Sequence, residues 1–250
     1  KYYIDMDPDV IGWTWGDDAH PIPAGFDKTI ASSTGCIIKN LVITNTDTSA
    51  TKSVGLVANL GKNAIVSSLT FDKVSITGNP AQYVGVICGV DEGAMISSVA
   101  IQDLSVNLSE GYIPVGNWEG VDHSNGWQNT TVKTVVASAR AIGSVAGKAL
   151  SSENYGIQHI DVANADFSNC YFLYAGGIVG YNNAIITKGI RSNNVSSIKL
   201  NATYAGGIVG NNFGKVEYCN ASNVEFKKAI NESNKNTLFK TNIFVGGISG

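Results

Sequence analysis

Charge is scarce in this chain of 250 residues, because Asp, Glu, Lys and Arg together make up only 15% of it and the formal net charge is −3. A protein that binds nucleic acid through the phosphate backbone needs a positively charged surface, and this composition does not provide one. No apolar run approaches the ~20 residues of a membrane-spanning helix. The sequence therefore predicts neither nucleic-acid binding nor a membrane-spanning segment.

Several motifs of common enzymes and cofactor sites are also missing. The chain has no His-Glu-x-x-His, no Gly-x-Ser-x-Gly, no phosphate-binding Gly-Lys-Ser/Thr and no Gly-x-Gly-x-x-Gly that opens a helix. The three histidines are far apart in the sequence. We therefore expect no catalytic residue, no cofactor and no metal site, and we predict that the protein is not an enzyme.

Cysteine is rare, and no pair has the spacing of a metal site. The four cysteines are Cys36, Cys88, Cys170 and Cys219. The simplest interpretation is that they are buried thiols that act as small apolar side chains. A disulfide between stacked repeats is the alternative.

What the chain does contain is a short phrase that recurs. Ala-Gly-Gly-Ile-Val-Gly at 175–180 returns at 205–210, and Val-Gly-Gly-Ile-Ser-Gly follows at 245–250. Weaker copies begin at Val54, Val84 and Ile142, with a doubtful one at Val115. The first glycines of successive copies are 27 to 40 residues apart, which is a period typical of repeat arrays.

The glycines of these phrases have a steric reason to recur, because they suit tight bends and close backbone approach. They are Gly55, Gly85, Gly143, Gly176, Gly177, Gly180, Gly206, Gly207, Gly210, Gly246, Gly247 and Gly250. We therefore predict that they are structural residues of the repeat.

Each phrase is followed by a polar turn and two more short apolar stretches, as at 211–214, 216–219 and 224–226. Alternation of apolar and polar residues over such lengths predicts half-buried strands. Three strands in about 30 residues form one coil of a repeat that buries its inward face by stacking. We therefore predict an all-β fold, a right-handed parallel β-helix (β-solenoid) with coils of about 30 residues. A β-sandwich or a propeller is the alternative.

The pattern also predicts how the chain is divided. Residues 1–33 precede the repeats and are expected to form a small N-terminal cap. The repeats occupy 34–250, with a divergent repeat at 110–141 and an insertion at 227–241. Because the last phrase stops at Gly250, we expect the repeats to continue beyond it.

Residues 206–226 resemble the GLUG repeat. Gly-Gly-Ile-Val-Gly-Asn at 206–211 is followed by Val-Glu-Tyr-Cys-Asn-Ala at 216–221, and Ile-Lys-Asn-Leu-Val-Ile at 38–43 resembles a phrase that often precedes such repeats. The resemblance covers about residues 36–250. It implies a scaffold without catalytic residues in a large secreted or surface-anchored protein, often a bacterial adhesin-like one. An extracellular or cell-surface location is therefore expected.

The divergent repeat contains the best candidate site, because insertions in repeat proteins map to loops that carry function. The candidate binding residues are Tyr112, Trp118, Glu119, Asp122, His123 and Trp127. Aromatic faces stack on the C–H faces of sugars, and carboxylates bond sugar hydroxyls. The same residue types are those of general acid–base chemistry. The alternative is that the tryptophans pack a loop onto the protein while the charges face water.

Two weaker signals complete the candidate sites. Asp5, Asp7 and Asp9 match the first half of a calcium-binding loop, but Val10 stands where that loop needs glycine, so a solvated turn is favoured. Asn-x-Ser/Thr sequons would carry glycans in a eukaryotic secreted protein. They occur at Asn107, Asn129, Asn194, Asn201, Asn220 and Asn231.

These observations predict a non-catalytic extracellular scaffold or adhesin-like segment that acts as a stiff spacer or as a component of a surface fibre. A host or matrix glycan or protein would be recognised on its loops. One alternative is a polysaccharide-acting β-helix enzyme, either a lyase or a glycosidase, although that analogy lies at the level of the fold alone. Another alternative is a filament subunit that self-associates.

Overall fold

The computed structural model describes residues 2–114, 134–150, 156–183, 190–227 and 244–250. These ranges contain twenty-three β-strands and one short helix, α1 (Pro8–Ile11). The helix begins where the Asp7 carboxylate accepts the Asp9 N–H and ends at Gly12, which has a left-handed backbone. Within the described ranges, no helix is long and apolar enough to span a membrane.

The largest sheet has ten strands, all paired in parallel. They are β1 (Tyr2–Asp5), β2 (Thr29–Lys39), β3 (Val42–Asn45), β6 (Ile65–Gly78), β9 (Met95–Leu108), β14 (Ile157–Asp166), β17 (Ile190–Arg191), β18 (Asn194–Leu200), β21 (Val216–Glu217) and β22 (Asn220–Phe226). Strands of successive repeats are neighbours in this sheet. We call one such repeat, with its strands in every sheet, a layer.

Two smaller parallel sheets have six and five strands. The six-stranded sheet contains β4 (Ser53–Val54), β7 (Ala81–Val84), β12 (Ala139–Gly143), β15 (Phe172–Gly176), β19 (Ala202–Gly206) and β23 (Phe244–Gly246). The five-stranded sheet contains β5 (Val57–Leu60), β8 (Cys88–Asp91), β13 (Ala146–Leu150), β16 (Val179–Asn183) and β20 (Val209–Asn212).

The recurring glycine phrase forms the corner between the two smaller sheets. In the layer of Gly176, strand β15 ends at that residue and β16 begins at Val179, and β19 and β20 repeat this arrangement around Gly206. A Cβ atom on Gly206 would lie 2.8 Å from the Ile248 carbonyl oxygen of the next layer. No side chain fits at such a distance, so the close stacking of layers requires glycine at this corner.

Alternation within the strands places apolar side chains in vertical rows. Phe71 of β6 pairs with Ile101 of β9, Ile101 pairs with Val162 of β14, and Val162 pairs with Val195 of β18. All four side chains are buried. Burial of each contributes roughly 1.5–3 kcal/mol, so the stack is stabilised mainly by such rows.

One hydrophobic cluster draws side chains from all three parallel sheets, including Phe71 of the ten-stranded sheet, Phe172 of the six-stranded sheet and Cys88 of the five-stranded sheet. Each of these three is fully buried. The sheets therefore share a single core that runs through successive layers.

Left-handed backbone conformations recur at aligned places in the ten-stranded sheet. Ser68, Ser98, His159, Ser192 and Tyr218 each have a φ between 53° and 58°. Each follows a residue that pairs in the ladder from Ser67 and Ser97 through Gln158 and Arg191 to Glu217. The bend is therefore a feature of the layer and not of one residue type.

Residues 109–138 leave the stack between two layers. Within this excursion β10 (Gly111–Pro114) and β11 (Thr134–Ala137) form an antiparallel pair. Its two ends are joined by the Ser138 hydroxyl, which donates a 3.1 Å hydrogen bond to the carbonyl of Leu108. The stack continues past the excursion, because Val84 of β7 pairs with Ile142 of β12.

The predicted right-handed parallel β-helix with regular coils of about 30 residues and a small N-terminal cap is wrong in that form. The structure has three parallel sheets and a separate antiparallel pair. The neighbour of β7 is β12, so the phrase near Gly116 adds no layer between them. Nor are residues 2–5 part of a separate cap, because β1 pairs with β2 as a further strand of the ten-stranded sheet. The fold is an all-β stack of parallel sheets.

Candidate binding surface

The site predicted on the divergent repeat falls mostly outside the described residues. Trp118, Glu119, Asp122, His123 and Trp127 all lie in 115–133. Tyr112 lies on β10 opposite Val136, and 74% of its surface is exposed. The prediction that these six residues form one site therefore stays a prediction.

A second set of aromatic side chains lies on the outer face of the smaller sheets. Its members occupy equivalent or neighbouring places in successive layers, and we call this set the aromatic surface. It consists of Tyr83, Tyr174, Tyr181, Tyr204, Phe213 and Phe244. Tyr174 pairs with Tyr204, and Tyr204 pairs with Phe244, so the parallel register places these rings one above another.

The rings contact one another in a continuous chain. The centroid of Tyr174 lies 5.4 Å from that of Tyr181 and 5.3 Å from that of Tyr204. Tyr181 lies 5.7 Å from Phe213, and Tyr204 is stacked on Phe244 at 4.8 Å with an interplanar angle of 4°. These separations lie in the range at which aromatic pairs attract, so the rings support one another's orientation.

The aromatic surface changes from buried to exposed along the stack. Tyr83 and Tyr174 are buried in a second apolar cluster with Ile113 of β10 and Val135 of β11. At the other end Phe213 is 60% exposed. The antiparallel pair therefore covers one part of the surface and leaves ring faces open further along the stack.

Two cations lie against the covered part. The Lys148 Nζ is 5.3 Å from the ring centre of Tyr83 and 5.7 Å from that of Tyr181, and the Arg140 guanidinium is 5.6 Å from the ring centre of Tyr83. Ring faces attract cations at these distances. Burial raises the pKa of Tyr181, and the charge of Arg140 opposes that shift. The hydroxyl of Tyr181 therefore stays protonated at neutral pH.

Amide and hydroxyl groups border the rings. The Asn182 side-chain amide donates to Oδ1 of Asn212 at 2.7 Å, and Tyr171 shares a 2.5 Å hydrogen bond with Thr203. The side chain of Asn211 is hydrogen-bonded to Tyr174. The aromatic surface therefore combines apolar ring faces with neutral polar groups that are already held in place, a combination typical of small-ligand sites.

The remaining titratable groups have structural partners. Asp5 accepts the side-chain amide of Asn40 and the Asp7 N–H, which uses its carboxylate in a turn. Asp91 is fully buried and accepts the N–H groups of Gly93 and Ala94. Desolvation raises the pKa of Asp91 to about 7. Among the described residues, no group of three or more His, Cys, Asp or Glu side chains is placed to hold a metal ion.

The cysteines are unpaired thiols; Cys36, Cys88 and Cys170 are buried and Cys219 is half-buried. Burial raises the pKa of Cys88, and it also raises that of Cys170. Such thiols are poor nucleophiles, so they add no chemistry to the aromatic surface.

The sequons differ in their exposure. Asn107, Asn194 and Asn220 are exposed, whereas Asn201 is buried. Asn194 and Asn220 face each other across neighbouring strands, and the Asn220 amide donates to Oδ1 of Asn194 at 3.1 Å. The remaining two, Asn129 and Asn231, lie outside the described residues.

The sequence contained a signal for the aromatic surface that the repeat analysis did not use. Tyr83, Tyr174, Tyr204 and Phe244 each stand two residues before the first glycine of a phrase. An aromatic residue at a fixed position of a repeat predicts a row of rings on one face. The chain matches none of the protein-family models, curated proteins and solved structures with which it was compared.

Proposed function

We propose that this protein is a non-catalytic extracellular scaffold or adhesin-like segment that acts as a stiff spacer. The observation that carries the proposal is the register of successive layers. Ala175, Ala205 and Val245 pair in order along the six-stranded sheet, and so do Gly176, Gly206 and Gly246. Equivalent residues therefore lie one above another through the stack.

Such a register supports stiffness for a physical reason. Neighbouring layers are joined by parallel backbone hydrogen bonds in three sheets, and one apolar core passes through them. Bending the stack would separate these bonds and expose core side chains at the same place. Nearest-neighbour contacts of this kind make a repeat array behave as one continuous body.

The extracellular part of the proposal is supported by composition and by the resemblance to the GLUG repeat. The low content of charged residues and the richness in glycine and asparagine fit a surface protein made of stacked strands and turns. Recognition of a host or matrix glycan or protein belongs to the same proposal, as is expected of an adhesin-like segment.

The distance between two spin labels tests the stiffness. Gln102 and Glu225 are exposed on β9 and β22, separated by the strands of the intervening layers. We expect cysteines at these positions, in a background with Cys219→Ser, to give one narrow distance distribution by double electron–electron resonance. A control pair within one strand, at Asp103 and Asn107 of β9, calibrates the width contributed by the labels. A distribution several times broader than the control would contradict the spacer function.

A further inference from the structure

We propose that the exposed part of the aromatic surface, together with Lys148, binds an acidic polysaccharide, that is, a sugar chain with carboxylate groups. The proposal deepens the adhesin-like function and rests on it in one respect, since such a ligand belongs to a matrix or to a cell surface. The site differs from the one predicted on the divergent repeat.

The first step of the argument concerns ring faces. Phe213 is 60% exposed and Phe244 is 45% exposed, yet each is held by a neighbouring ring, Tyr181 and Tyr204 respectively. A large apolar side chain that is fixed and open to solvent presents a preorganised flat surface. The C–H face of a pyranose ring fits such a surface.

The second step concerns charge. The ammonium group of Lys148 lies beside Tyr83 and Tyr181, so it sits at the border between the covered and the open rings. Because the chain as a whole has a net charge of −3, its overall field repels a polyanion. Binding of an acidic chain therefore depends on a local cation, and Lys148 is in the position to supply it.

The third step concerns hydrogen bonds. Asn182 and Asn212 form a side-chain pair next to Phe213, whose backbone N–H donates to the carbonyl of Asn182. Amides both donate and accept, which suits the hydroxyl groups of sugars. Ring face, ammonium group and amides thus match the apolar face, the carboxylate and the hydroxyls of one uronic-acid residue.

The experiment uses a matched pair of ligands, polygalacturonate and its methyl ester, immobilised separately. The two polymers have the same sugar ring and differ in the carboxylate charge. We expect the protein to be retained on polygalacturonate and to lose about tenfold in affinity on the ester, because hydrogen bonds to charged groups are worth roughly 1.5–3 kcal/mol.

Four variants assign the binding to the residues. We expect Lys148→Gln to weaken retention about tenfold and Lys148→Arg to restore it. Phe213→Ala should weaken it about three- to tenfold, since aromatic contacts contribute roughly 0.5–1.5 kcal/mol. Tyr218→Asn is the control, because Tyr218 is 77% exposed, has a left-handed backbone that Asn tolerates, and does not belong to the aromatic surface.

Circular dichroism and thermal unfolding of each variant establish that it is folded before its retention is compared. Equal retention on the two polymers would overturn the carboxylate part of the proposal and indicate a neutral sugar. Full retention of Phe213→Ala, or no retention of the unmodified protein, would overturn the site itself. The stiffness measured by spin labels does not depend on these outcomes, so the two proposals fail separately.

Discussion

Gly177 and Gly207 occupy the same place in adjacent layers, and their backbones are so close that a Cβ atom on Gly177 would overlap the carbonyl oxygen of Gly207. The contact continues in the next layer, where a Cβ atom on Gly207 would overlap the carbonyl oxygen of Gly247. The second glycine of the phrase is therefore required by the layer stacked behind it.

This relationship predicts different results for two equivalent substitutions. Gly207→Ala should lower the free energy of unfolding by about 1–3 kcal/mol, because the new methyl group meets a backbone oxygen and the Cβ atom of Ala221 at 2.6 Å. Gly247→Ala should change it by less than about 0.5 kcal/mol, because a Cβ atom there meets nothing within 4 Å. Urea unfolding measures both. Equal losses for the two variants would show that conformation and not close approach selects glycine.

Asn193 and Asn194 provide a second matched pair. The buried side chain of Asn193 accepts the N–H of Ile160 at 2.9 Å and donates to the carbonyl of Ile157 at 3.1 Å. Asn193→Ala should destabilise the protein by about 2–4 kcal/mol, because two buried backbone groups lose their partners.

The neighbouring Asn194 is exposed and bonds Asp161 and Asn220 on the surface. Asn194→Ala should therefore cost less than about 1 kcal/mol. Chemical denaturation of the two variants at one pH measures the difference. If both lose the same stability, the buried hydrogen bonds of Asn193 do not have the role assigned to them.

Asp91 predicts that stability depends on pH. Its pKa is about 7 in the folded protein, against an ordinary value of 3.8, because burial disfavours the carboxylate. The folded state therefore holds a proton that the unfolded state releases between these values. The resulting stabilisation is complete below pH 3.8 and is lost as pH rises to about 7.

Asp91→Asn keeps an oxygen that accepts from Gly93 and Ala94 but cannot ionise. At pH 8 this variant should be more stable than the unmodified protein by up to about 4 kcal/mol, and below pH 4 the two should converge. Urea unfolding from pH 4 to pH 8 measures both curves. The exposed Glu225→Gln serves as control. Parallel curves for Asp91→Asn and the unmodified protein would contradict the raised pKa.

The thiols should react in an order set by burial. In the native protein at pH 8, Ellman's reagent should modify Cys219 slowly and should not reach Cys88, because Cys219 is half-buried and Cys88 is fully enclosed. In denaturant without reductant, all four cysteines should titrate. A total below four would reveal a disulfide that the structure does not contain.

The sequence predicted the strands well because the cause of each strand is local. Alternation in Val66, Leu69, Phe71, Val74 and Ile76 places each of these side chains in the buried core, as the pattern indicated. The glycine phrases also lie at corners between strands, where backbones of neighbouring layers approach each other. The predictions of an all-β fold and of parallel pairing are confirmed.

The regular coils could not be predicted, because the pairing of distant strands leaves no local mark. Ala81 pairs with Ala139, although a glycine phrase near Gly116 lies between them in sequence. The aromatic surface was missed for a similar reason: Tyr181 and Phe213 belong to different layers, and only the register places their rings 5.7 Å apart. Position within the repeat, combined with register, is needed to find such a surface.

The hydrogen bond from Ser138 to Leu108 shows how such a chain acquires new parts. The excursion between these two residues begins and ends at one point of the stack, and the layers on either side pair as if it were not there. A segment inserted at such a point adds surface without disturbing the strands around it. Evolution can therefore lengthen, exchange or remove the segment independently of the stack, so that innovation is confined to a place where failure leaves the rest of the protein intact.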